Sequence, residues 1–226
     1  MATIKLHEVS VEIPIYSNHN RSIKNSFLKK LTKDKVLPHS VMALNNITLD
    51  LKDGDRLGVI GPNGAGKSTL LRTLAGVFLP TSGTIEVKGR VASLIDISLG
   101  MDGEATGYEN IRMRGIMLGL SLKQIRSMED EIADFSGLGD FLHIPIRTYS
   151  TGMQMRLGFA VSTAIEADII LMDEWLSVGD SDFLVKAEKR LHDYIKKSSI
   201  LVIASHNQNT IKNICNMTLN LSHLVT

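Results

Sequence analysis

The short strand-like run 56–60 leads directly into Gly61-Pro62-Asn63-Gly64-Ala65-Gly66-Lys67-Ser68, which satisfies G-x-x-x-x-G-K-[ST] at every position. A helix-forming run, 68–77, follows. Strand, glycine-rich loop and helix in this order restrict the fold severely, because such a loop wraps a phosphate only when a strand delivers it and a helix receives it. The glycines let successive backbone N–H groups turn inward around an anion. The helix amino terminus adds a favourable field. Lys67 sets a point charge against the outer phosphates, and the Ser68 hydroxyl ligates Mg2+. The expected nucleotide contacts are Gly61, Asn63, Gly64, Ala65, Gly66, Lys67, Ser68 and Thr69. A glycine turn formed by chance would lack both flanking elements.

The rest of the chain supplies a frame for this loop. Residues 4–15 read as one or two strands, and 41–51 resumes strand-like alternation before the Asp53-Gly54 turn. Strand signals recur at 84–87, 91–95, 169–172 and 200–204. From 104 to 147 the pattern is helical, with one apolar stripe at Ile111, Met113, Ile116, Met117 and Leu120 and a second at Ile132, Phe135, Leu138 and Leu142. A further helix starts at Ser150. Strands alternating with helices predict an α/β domain: a P-loop NTPase core with a mainly parallel sheet, an antiparallel β subdomain on its N-terminal side and an inserted α-helical subdomain at about 104–150. Residues 1–226 are expected to form this one domain. A net charge of +1 gives no bulk electrostatic reason to bind nucleic acid. The single cysteine, Cys215, excludes an intrachain disulfide. No run of 18 apolar residues exists, so work at a membrane requires a partner.

The run 169–172 ends in two carboxylates, Asp173 and Glu174. On its own this is an acidic turn after a core strand. Beside a complete phosphate loop it takes a chemical meaning: Asp173 holds Mg2+ together with Ser68, and Glu174 polarises the attacking water. To this point the sequence describes a Mg2+-dependent P-loop NTPase.

Tyr149-Ser150-Thr151-Gly152-Met153-Gln154-Met155-Arg156 narrows the class. It resembles the L-S-G-G-Q signature of ABC ATPases, with Tyr149, Thr151 and Met153 as departures. Those departures, the segment Asp173-Glu174-Trp175-Leu176-Ser177-Val178-Gly179-Asp180, and Thr106-Gly107-x-Glu109-Asn110 are similar to the subgroup that exports lipopolysaccharide O-antigen, capsular polysaccharide and teichoic acid. The resemblance spans nearly the whole chain, with its motifs in the expected order.

The resemblance implies an ATP hydrolase using ATP and Mg2+. Two copies would close head-to-tail, with Ser150 and Gly152 of one meeting the γ-phosphate held by Lys67 of the other. Ser150 also has a plain reading as an ordinary helix cap. Met153 takes no phosphate role. Asp180 would lie at the dimer seam, His206 would sense the γ-phosphate, and Tyr16 is the candidate to stack on adenine. No glutamine falls at 93–102, where the family's Q-loop belongs; the polar residues there are Asp96 and Ser98. The implied partners are a transmembrane permease subunit and, through it, a lipid-linked glycan, at the cytoplasmic face of the bacterial inner membrane as a peripheral protein. The chain extends 20 residues past His206, and the carboxy-terminal carbohydrate-binding domain of some relatives is not expected.

The cluster Arg21, Lys24, Lys29, Lys30, Lys33 and Lys35 in 17–40 has two readings: a solvated loop with one amphipathic helix, or a contact with the permease or anionic headgroups. Within the subgroup, capsule and teichoic acid remain alternatives to O-antigen. A different ABC transporter, and a P-loop kinase acting on a small molecule, stand further off, since a kinase has no use for residues 150–156 or His206.

Overall fold

The computed structural model describes residues 1–15, 40–95, 97, 100–174 and 181–221. Two sheets organise them. Strands β1 (Thr3–Pro14), β2 (Ser40–Lys52) and β4 (Ser82–Lys88) form an antiparallel sheet in the order β2-β1-β4. Strands β3 (Arg56–Ile60), β5 (Val91–Leu94), β6 (Ile169–Asp173), β7 (Ile200–Ala204) and β8 (Met217–Asn220) form a parallel sheet in the order β5-β6-β7-β3-β8. The expected α/β architecture, with its antiparallel sheet on the N-terminal side, is what the chain adopts.

The central strands are apolar on both sides because both sides are covered. On β6, Ile169 and Leu171 face one core while Ile170 and Met172 face the other; on β7, Ile200 and Val202 face the first and Leu201 and Ile203 the second. The first core is closed by helix α1 (Lys67–Leu74), through Leu70, Leu71 and Leu74, and by the inner residues of β1 and β2. The second is closed by α4 (Thr151–Ala164), α5 (Ser181–Lys197) and α6 (Gln208–Ile214), with α2 (Gly107–Met117) and α3 (Leu122–Ser136) packed beyond. Among the described residues no helix is long and apolar enough to cross a membrane.

The helical region confirms one expected stripe and corrects the other. Ile132, Phe135, Leu138 and Leu142 are all buried. On α2, Ile111 is buried, but Ile116 and Met117 are 51% and 70% exposed. Its inner face runs instead through Gly107, Asn110, Ile111, Arg114 and Gly115. Two polar residues sit inside because each finds partners: Asn110 Nδ2 donates to the carbonyls of Asp102, Ala105 and Thr106, its Oδ1 accepts from Asp102 N–H, and Arg114 donates to Ser162 Oγ. A purely apolar count therefore misplaces the face. The same contacts explain Thr106-Gly-x-Glu-Asn110: Thr106 and Glu109 form a capping box, and Asn110 pins the loop before it.

Helix α5 is tied to α3 around one ring. Lys186 Nζ and the Arg190 guanidinium lie 4.6 and 4.2 Å from the Phe135 ring centroid, and Arg190 also pairs with Glu131 at 3.1 Å. Because α5 begins shortly after the acid pair, this clamp joins the site's sheet edge to the helical region.

Candidate functional site

Three adjacent strands deliver the site. Register pairs Val59 of β3 with Ala204 of β7, and Ala204 with Asp173 of β6, so the carboxyl ends of β3, β7 and β6 stand level. The residues that follow, from Gly61, Ser205 and Glu174 onward, emerge together at one sheet edge, where open α/β sheets bind ligands.

The phosphate loop turns on Gly66, the N-cap of α1, which has φ of 94°. A Cβ there would stand 2.3 Å from the Ala43 carbonyl oxygen. No side chain caps α1, so its first-turn N–H groups are left for an anion. Lys67 is buried, and its Nζ donates to the carbonyls of Gly61 and Pro62 at 2.8 and 3.0 Å, folding the charge over the loop's own opening residues. Gly66→Ala is expected to lower ATP affinity about tenfold or more in titration calorimetry, since both φ and β2 oppose it. Gly64→Ala, with no neighbour within 4 Å of its Cβ, is expected to cost less.

The acid pair closes the other side. Ser68 Oγ donates to Asp173 Oδ2 at 2.5 Å, joining helix start to strand end. This hydroxyl and carboxylate suit Mg2+, which takes one or two protein oxygens together with substrate phosphates. Among the described residues no group of three His, Cys, Asp or Glu side chains forms a protein-only metal cage. Glu174 has φ of 67°, a left-handed conformation uncommon outside glycine. Its N–H continues the β6–β7 ladder to the Ala204 carbonyl at 2.8 Å. Its carboxylate accepts from Ser205 Oγ at 3.0 Å and from His206 N–H at 3.1 Å, and the His206 Nε2 lies 3.7 Å from Oε1. Glu174 and His206, predicted separately from sequence, therefore meet. Ser205, to which the sequence reading gives no role, joins them; its only signal is a polar residue at the end of an apolar strand.

Ser150 and Gly152 stand apart from this edge. Ser150 caps α4, accepting from Met153 N–H at 3.2 Å, and among the described residues its bonds stay within that helix start. Ser150 is exposed and Gly152 half-buried. Tyr149 is buried, donating its hydroxyl to the Phe141 carbonyl at 2.5 Å, and burial pushes its phenol above the ordinary range. The tyrosine thus fills an apolar position while tying α4 to the turn before it. Arg156 lies 5.1 Å from the Phe183 ring centroid of α5. Tyr16, Asp96, Ser98, Asp180 and the basic cluster of 17–40 lie outside the described residues.

Strand, phosphate loop, hydroxyl–carboxylate pair and adjacent carboxylate at one edge of a parallel sheet define a P-loop nucleotide hydrolase. The sequence profile of the ABC transporter family matches residues 44–177. The chain belongs to that family, as an ATP-binding and ATP-hydrolysing subunit. It is 44% identical to the O-antigen export system ATP-binding protein RfbE of Yersinia enterocolitica, covering 99% of this chain and 95% of that protein. It is 38% identical to the teichoic acids export ATP-binding protein TagH of Lactiplantibacillus plantarum, covering 94% of this chain but 57% of TagH. The O-antigen export system ATP-binding protein RfbB of Myxococcus xanthus is 40% identical, with 84% of this chain and 43% of RfbB covered. Among solved structures, the post-hydrolysis dimer of the ATP-binding cassette MJ0796, bound to ADP and Pi, superposes with a TM-score of 0.70 over 97% of this chain and 94% of that one, at 20% identity. At that identity the likeness establishes the fold.

Proposed function

We propose that this chain hydrolyses ATP to drive export of a lipid-linked cell-surface polysaccharide, O-antigen foremost, through a transmembrane permease at the cytoplasmic face of the bacterial inner membrane. The observation that carries this is the end-to-end likeness to RfbE, spanning 99% of one chain and 95% of the other. Teichoic acid export is the second reading, favoured by the likeness to TagH, although the chain spans little more than half of that protein.

In the proposed cycle ATP lies in the loop 61–68, with Lys67 and the α1 amino terminus on its phosphates and Tyr16 stacked on adenine. Ser68 and Asp173 would hold Mg2+, which neutralises phosphate charge when bound. A second copy presents Ser150 and Gly152 to the γ-phosphate, with Asp180 at the seam. Ser150 and Thr151 are exposed at the start of α4, which suits this docking. Glu174 takes a proton from the attacking water, and His206 contacts the γ-phosphate. ATP favours the closed pair and hydrolysis releases it, a differential affinity that the permease converts to movement.

The test is genetic and chemical. In cells that make the surface glycan through this chain, Lys67→Ala is expected to leave lipid-linked glycan on the cytoplasmic side and deplete it outside, read by extraction with and without surface protease and glycosidase treatment. A normal surface glycan in that strain overturns the proposal.

A further inference from the structure

We propose that Ser205 is a positioning residue for hydrolysis, holding the carboxylate of Glu174 at a fixed place relative to the phosphate loop; this rests on the reading of Glu174 as the base. Ser205 is 2% exposed, although it lies at the site's edge. Its hydroxyl donates to Glu174 Oε2 at 3.0 Å and accepts from Asn207 N–H at 3.1 Å. Its own N–H donates to the Val59 carbonyl at 3.3 Å, two residues before the phosphate loop begins at Gly61. One residue thus bonds both to the strand that delivers the phosphates and to the carboxylate that would face them.

The carboxylate needs such a hold. The Glu174 side chain is 45% exposed and carries three rotatable bonds, so packing does not fix it. The His206 N–H, at 3.1 Å, restrains Oε1 alone and leaves the group free to swing about that contact. The Ser205 hydroxyl takes the second oxygen, and two donors on two oxygens set the plane of the carboxylate. An ionised carboxylate offers about four acceptor sites, so lone pairs remain for a water proton. A base displaced by about 1 Å costs heavily in rate even when binding is untouched.

ATP turnover by the purified full chain tests this. Ser205→Ala is expected to lower kcat about tenfold with KM for ATP unchanged within about twofold. Ser205→Thr, which keeps the hydroxyl, is expected to restore most of kcat. Asn207 caps α6 through Asn209 N–H and Thr210 N–H, so Asn207→Ala disturbs that helix but spares the Ser205–Glu174 bond, and is expected to keep wild-type kcat. In a Glu174→Gln background, single-turnover rates with radiolabelled ATP are expected to show no further loss from Ser205→Ala, since the serine acts through the carboxylate. Wild-type kcat in Ser205→Ala, no recovery in Ser205→Thr, the same fall in Asn207→Ala, or an equal fall on the Glu174→Gln background would each overturn the assignment. Full turnover in Glu174→Gln alone would instead remove the base reading, a result distinct from all of these.

Discussion

Glu174→Gln is expected to lower ATP turnover by about 10²–10⁴-fold, the range a positioned base contributes, while ATP affinity holds and a closed dimer accumulates. The substitution isolates chemistry because the local bonds can survive it. The amide oxygen can keep the His206 N–H, and the amide nitrogen can donate to Ser205 Oγ, a hydroxyl able to accept as well as donate. What is lost is the charge and the lone pair that would take the water proton. Size-exclusion chromatography in ATP and Mg2+ with a phosphate-release assay reads both effects; full turnover and a persistent monomer would remove Glu174 from the chemistry. Glu174→Gly separates function from strain in the same experiment. At φ of 67° glycine relieves a cost of about 1 kcal/mol, but it also removes the acceptor of the buried Ser205 hydroxyl, a loss of similar size, so this variant is expected to melt close to wild type and to turn over no faster than Glu174→Gln.

The loop 61–68 and the acid pair were legible in sequence because their physics is local. Adjacent residues make the cradle, and a continuous apolar strand ends where its carboxylates begin. The buried parallel strands were legible for the same reason. Helix α2 is legible as a helix but its inner face is not, since that face carries Asn110 and Arg114, whose partners are invisible to a count of apolar residues. Helix α5 is masked in sequence by its charged residues, although Phe183, Ala187 and Leu191 repeat every four residues and are all buried. Helix α6 and strand β8, of seven and four residues, are too short for periodicity to find. Ser205 belongs to a third kind. Its meaning depends on Glu174, 31 positions away, and on a parallel register that only the folded sheet supplies. Thr106-Gly-x-Glu-Asn110, a mark of kinship in the sequence, is a capped helix start in the fold, which is a reason for its residues independent of kinship.

Gly152→Ala is expected to leave the fold intact or slightly firmer and yet to cut turnover on the order of 10²-fold, the scale of losing one contact to a developing charge. Among the described residues nothing requires glycine at this position. Its φ is not positive, and among the described residues an added Cβ would meet only Ser150 Oγ, at 3.9 Å. Glycine in a helix costs up to about 1 kcal/mol relative to alanine, so the folded monomer alone would be better served by alanine. Gly66 is the opposite case, held by a left-handed φ and by the Ala43 carbonyl. A glycine for which the described residues show no need, on an exposed helix start capped by Ser150, fits the close approach proposed above, by the γ-phosphate held on a second copy. Thermal unfolding and ATP turnover of the same sample decide it. An unchanged or higher melting temperature with depressed turnover, and loss of the ATP-dependent dimer when Gly152→Ala is placed on the Glu174→Gln background, supports docking across the dimer. Wild-type turnover would mean that no phosphate comes within reach of this helix start, and the head-to-tail arrangement would have to be abandoned even if Glu174 proved to be the base.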